Sequence, residues 1–101
     1  MSELQNRIIE RLATPDGLQR ASGSDDKREM LVTAALHLFF AFGGNADELR
    51  KVVSSANKKK STSVADAVAE VVVATAAISS AADLDMVQAA FNWIDSAPKP
   101  Q

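Results

Sequence analysis

Residues 30–42 read MLVTAALHLFFAF, an apolar run broken only by Thr33 and His37 and closed by Gly43 and Gly44. Thr33 and His37 are four apart, with Glu29 one turn earlier, so on a helix the three share one narrow stripe and the rest of the circumference is apolar. A surface helix of a small domain carries a broad polar face; this one needs cover on nearly every side. It is expected at the centre of the fold or beneath a second chain. Residues 30–46, the longest stretch free of Asp, Glu, Lys and Arg, fall short of the roughly 20 predominantly apolar residues of a membrane span and end in Gly-Gly-Asn. A buried helix is the expectation, and no membrane association.

A second segment has the same character. In residues 64–78, VADAVAEVVVATAAI, the only charges are Asp66 and Glu70, again four apart and on one stripe. Val71, Val72 and Val73 alone would fit a buried strand, but the flanking alanines and the length of the segment favour helix.

The remaining elements are ordinary. Ser2 with Gln5 is a capping box for a first helix, in which Leu4, Ile8, Ile9 and Leu12 line one face. Pro15 and the following Asp-Gly end it, and residues 18–24 read as a surface loop. Ser24 or Asp25 is the expected cap of the second helix, residues 25–42, with Asp25, Asp26 and Glu29 where the helix dipole favours acids. Gly43 supplies a left-handed C-cap, and Asn45 with Glu48 caps a short third helix at once, over residues 46–56. Polar residues 57–62 lead to Ser63, which caps a fourth helix over residues 64–79. Residues 79–82 read as a break and Asp83 as the cap of a fifth helix to residue 96, with Leu84, Val87, Ala90, Phe91 and Ile94 on its apolar face. Pro98 and Pro100 make residues 98–101 an extended tail. The sequence shows no internal repeat and no strand alternation.

The fold class expected is therefore all-α. One domain over residues 1–97 forms a compact bundle of about five helices, with helices 25–42 and 64–79 central. At 101 residues the chain affords a single modest core, and 47% hydrophobic residues argue against disorder.

Chemistry is sparse. The absence of cysteine removes disulfides, thiolate nucleophiles and cysteine metal ligands. His37 is the sole histidine, and without a second positioned group it reads as a partly buried side chain bonded to Thr33 or a backbone carbonyl. An enzymatic role would require a water-accessible pocket at His37 with a carboxylate nearby. No Glu-x-x-His pair suited to a bundle metal site occurs, nor any phosphate-binding glycine loop or nucleophile elbow. No enzyme activity, cofactor or metal is expected. No signal-peptide pattern opens the chain, so cytoplasm is the expected location.

Two surfaces remain. Arg50, Lys51, Lys58, Lys59 and Lys60 cluster in one helix and its exit, while from residue 61 onward five acids face a single Lys99. Such a patch can meet phosphates, and the alternative function is a nucleic-acid-binding regulator. Against it, the following helix presents valines, alanines and two acids, and the net charge is −2. The stronger signal is the apolar surplus: two nearly all-round apolar helices exceed what three short ones can cover. The leading expectation is a protein–protein interaction module, an adaptor, inhibitor or assembly factor acting as a homodimer or on a protein partner. Phe39, Phe40, Phe42, Phe91 and Trp93 are the side chains best suited to anchor that contact, with core packing their competing role.

Overall fold

A computed structural model describes residues 1–13, 23–58 and 62–96. Five helices and no strand are found among these residues: α1 (Glu3–Leu12), α2 (Ser24–Ala41), α3 (Ala46–Asn57), α4 (Val64–Ala81) and α5 (Met86–Ser96). The protein is all-α. The 18–24 loop apart from its last two residues, Lys59, Lys60 and the 98–101 tail lie outside the described residues.

Local chemistry explains most boundaries. Ser2 accepts from the Gln5 amide at 3.1 Å, Asn45 from Glu48 at 2.9 Å and Ser63 from Asp66 at 3.1 Å; each side chain satisfies an amide that the helix start leaves without a partner. At α2 the expected cap is displaced. Gly23 is the N-cap and has no side chain to offer, Ser24 is already helical, and Asp25 pairs instead with Arg28.

A second correction concerns the end of α4, where a break was expected over residues 79–82. The helix continues to Ala81. Thr75 donates its hydroxyl to the Val71 carbonyl at 2.8 Å and Ser79 to the Thr75 carbonyl at 2.7 Å, so these hydroxyls are satisfied along the helix instead of diverting its backbone. Asp83 is consequently not the cap of α5. It sits past the end of α4 with φ 57°, and the cap is Asp85, whose carboxylate accepts from the Gln88 amide at 2.8 Å.

These boundaries reveal a repeat that the residues conceal. After α2, Gly44 donates to the Phe39 carbonyl at 2.9 Å and Gly43 to Phe40 at 3.1 Å; after α4, Leu84 donates to Ser79 at 2.8 Å and Asp83 to Ser80 at 3.1 Å. Both are Schellman turns, with the left-handed residue at Gly43 (φ 98°) and Asp83. Each follows an 18-residue helix and precedes a capped shorter one. Adding 40 to any position in α2, its turn and the start of α3 gives its counterpart in α4, its turn and the start of α5. The chain thus contains two copies of one helix–turn–helix unit, α2–α3 and α4–α5, although few paired positions share a residue, Asp26 with Asp66 and Val32 with Val72 among them.

Packing between helices is concentrated where α1 meets α5, with a smaller junction between α4 and α5. Leu4, Ile8 and Leu12 of α1 and Ala90, Phe91 and Ile94 of α5 are half-buried. The Arg7 guanidinium lies 5.2 Å from the centre of the Phe91 ring and 3.2 Å from the Asp95 carboxylate. No side chain among the described residues is fully buried. The central position expected for helices 25–42 and 64–79 therefore does not translate into burial: Val64 is 81% exposed, Val73 68% and Val32 55%. The radius of gyration is 15.1 Å, where a compact chain of this length has about 13 Å.

Candidate functional site

The polar stripe of α2 faces a shallow cleft. Asp26, Glu29, Met30, Thr33, Ala34 and His37 line one side and Trp93 of α5 the other. The stripe arises from helical spacing alone, since 26, 29/30, 33 and 37 repeat at three and four residues. His37 is exposed, not partly buried, and its imidazole makes no hydrogen bond to Thr33 among the described residues. The cleft does place carboxylates and the imidazole along one water-accessible wall. Yet His37 stands two turns from Glu29 on the same helix, about 12 Å by helical rise, too far for the direct contact by which a carboxylate orients a general base. Among the described residues no group of three His, Asp or Glu side chains assembles at metal-binding range.

The five aromatic candidates do not form one patch. Phe39 is half-buried, with its ring edge-on to Phe40 at 5.5 Å. It also fills the place a Cβ on Gly44 would take, which is why the residue after the left-handed turn is glycine. Phe39 is thus part of the turn. Phe40 and Phe42 remain exposed beside it, Phe42 at 53%. Phe91 is half-buried under Arg7, and Trp93, 57% exposed, borders the α2 cleft.

Of the basic cluster, Arg50 is engaged within α3 by Asp47 at 2.6 Å. Lys51 and Lys58 are exposed and have no ion-pair partner among the described residues. Lys59 and Lys60 lie outside the described residues.

A further bare apolar surface lies on α4. Val64, Val68, Val71 and Val72 recur at four, three and one residues and so occupy one face of α4, with Asp66 and Glu70 on the opposite side. All four are exposed. Toward the turn the same face carries Thr75, Ile78 and Ser79, which are half-buried. Leu31 and Val32 are the counterparts of Val71 and Val72 on α2 and are likewise bare. The 3.6-residue period of these valines was legible in the sequence.

Among the described residues α4 is also the one helix long and apolar enough to cross a membrane by length and composition: 18 residues of mean hydropathy 1.6 with none buried. Its length is about 27 Å at the helical rise, but Asp66 and Glu70 occupy its first two turns, a costly placement in hydrocarbon. Comparison with protein-family models, curated proteins and solved structures finds no match to this chain.

Proposed function

We propose that this protein is a non-enzymatic protein–protein interaction module of the cytoplasm, a small adaptor, inhibitor or assembly factor that works by burying its apolar helix faces in a homo-oligomeric or partner interface. One observation carries the reading. The chain exposes 8353 Å², whereas a compact monomer of its mass exposes about 5,500 Å². Leu31, Val32, Leu38 and Phe40 of α2 and Val64, Val68, Val71, Val72 and Val73 of α4 are among the exposed large apolar side chains, and contiguous exposed apolar surface marks association sites. Folded stability is a small balance between apolar burial and chain entropy; with no buried side chain among the described residues, burial supplied by a partner fits that balance.

Light scattering and sedimentation velocity over a range of concentrations test the self-associating form directly. A dimer or larger closed assembly is expected at micromolar concentration. A strictly monomeric, cooperatively folded species at the highest attainable concentration would overturn it.

A further inference from the structure

We propose that the cleft between α2 and α5 binds a guanidinium group, stacked on the Trp93 indole and paired with the Glu29 carboxylate. The site goes beyond the interaction reading and stands apart from the bare faces: at 3.6 residues per turn, Leu31 and Val32 lie roughly 130° to either side of the line of α2 that faces the cleft.

Each part follows from its place on a helix. On α5 the turn preceding Trp93 carries Ala89 and Ala90, and a helical side chain leans over that turn. With only methyl groups there, the indole stays 57% exposed and makes no ring or cation contact among the described residues. On α2, Glu29 is exposed and its carboxylate has no ion-pair partner among the described residues. Asp26 on the same wall already has an interaction of its own, and Arg28 is held by Asp25. Among the described residues no Lys or Arg lines the cleft. Its volume of about 700 Å³ falls in the range of small-ligand sites, and half-buried Met30 gives an alkyl stem an apolar surface.

The same helix shows what such parts hold. Phe91 and Asp95 together hold the Arg7 guanidinium, 5.2 Å from the ring centre and 3.2 Å from the carboxylate. Trp93 and Glu29 offer the same combination of ring and carboxylate, and indole is the stronger cation-binding face. A single ring also selects among cations. An alkylated ammonium is recognised by a cage of several rings, and a lysine ammonium keeps its tight hydration; a planar guanidinium stacks on one face and still turns its edge N–H groups to a carboxylate.

Trp93 is the sole tryptophan and tyrosine is absent, so intrinsic fluorescence of the full chain reads this wall of the cleft alone. The probes are N-acetyl-arginine methylamide, its lysine and citrulline analogues at equal ionic strength, and free arginine. The expected result is a saturable change with the capped arginine in the millimolar range, as one exposed ring contact and one charged pair allow. The lysine analogue and the Glu29→Gln variant should each bind about fivefold more weakly, the variant with its helical circular dichroism intact, and the neutral citrulline analogue should give no saturable response. Stronger binding of the capped probe marks an arginine side chain of a protein as the occupant, and stronger binding of free arginine marks a small guanidine; both support the site. No saturable response to either arginine probe, an equal response to citrulline, or unchanged binding in Glu29→Gln would overturn it. Light scattering on the same samples separates this outcome from the interaction reading: a dimer without an arginine response overturns the cleft alone, and a monomer with one leaves the cleft standing.

Discussion

The two helix–turn–helix units share a backbone and differ in how they reach it. At the first turn the left-handed position is Gly43 and the next residue is Gly44, leaving room for the Phe39 ring. At the second, Asp83 adopts the left-handed conformation that disfavours a side chain, and Leu84 follows with Ser79 in the place of Phe39. One unit thus closes its turn with an aromatic ring over a glycine; the other relies on backbone hydrogen bonds and the Asp85 cap. The same geometry has been met by nearly unrelated side chains, so the constraint common to both units lies in the long helix, the turn and the bare face.

That comparison is broken most severely by a charge on the bare faces. Val71→Asp would place a carboxylate in the proposed contact without a partner, weakening self-association at least 100-fold, about 3 kcal/mol for an uncompensated buried charge. Leu31→Asp should do the same, because the positions are equivalent. Sedimentation equilibrium measures both. A large effect at residue 71 with none at residue 31 would show that the units do not share the interface.

The turns give the next largest effects. Gly44→Ala drives a Cβ into the Phe39 ring and should destabilise by roughly 1–3 kcal/mol, as overpacking does. Its counterpart Leu84→Ala acts at an exposed side chain and should fall within about 0.5 kcal/mol. Exchanging the left-handed residues inverts the sign between units. Gly43→Ala should cost about 1 kcal/mol, whereas Asp83→Gly, which relieves the conformation, should stabilise by about 0.5–1 kcal/mol. Denaturant unfolding at fixed protein concentration reads all four, since association adds to apparent stability by mass action.

Much of this architecture is legible along the chain, for reasons that differ between the units. Gly43, Asn45 and Glu48 announce the first turn because glycine, an Asx cap and an acid each act locally. The second turn is written in Asp83, Leu84 and Asp85, where either aspartate is a competent cap. The choice falls on Asp85 only because Thr75 and Ser79 return their hydroxyls to the helix and allow it to run on to Ala81. The repeat itself stays hidden for the same reason: it lies in backbone hydrogen bonds 40 residues apart, and Phe39 against Ser79 or Gly44 against Leu84 give no hint of it. The bare apolar surface is partly legible. Large aromatic side chains stood out, yet Phe39 and Phe91 are half-buried within the chain, while the valines of α4 are bare. Side-chain size does not reveal which face a neighbouring helix leaves uncovered.

The smallest effect tests whether α1 belongs to one unit or serves both. Arg7 reaches Asp95 at 3.2 Å and lies over Phe91, so α1 is joined to α5 of the second unit. Both charged partners are substantially exposed, with side chains 41% and 66% accessible, and solvent screening leaves such a pair worth about 0–1 kcal/mol. Asp95→Asn should therefore cost only a few tenths of a kcal/mol and lose even that in high salt, as the Debye length shortens. Arg7→Ala should cost somewhat more, because it also removes the stem and the cation over the Phe91 ring, a contact worth about 0.5–1 kcal/mol at exposed sites. A double-mutant cycle separates the ion pair from the ring contact: the difference that persists in 1 M salt belongs largely to Phe91. If Arg7→Ala lowers dimer affinity as strongly as the charge on Val71, α1 is part of the surface shared between copies and not a brace on α5 alone.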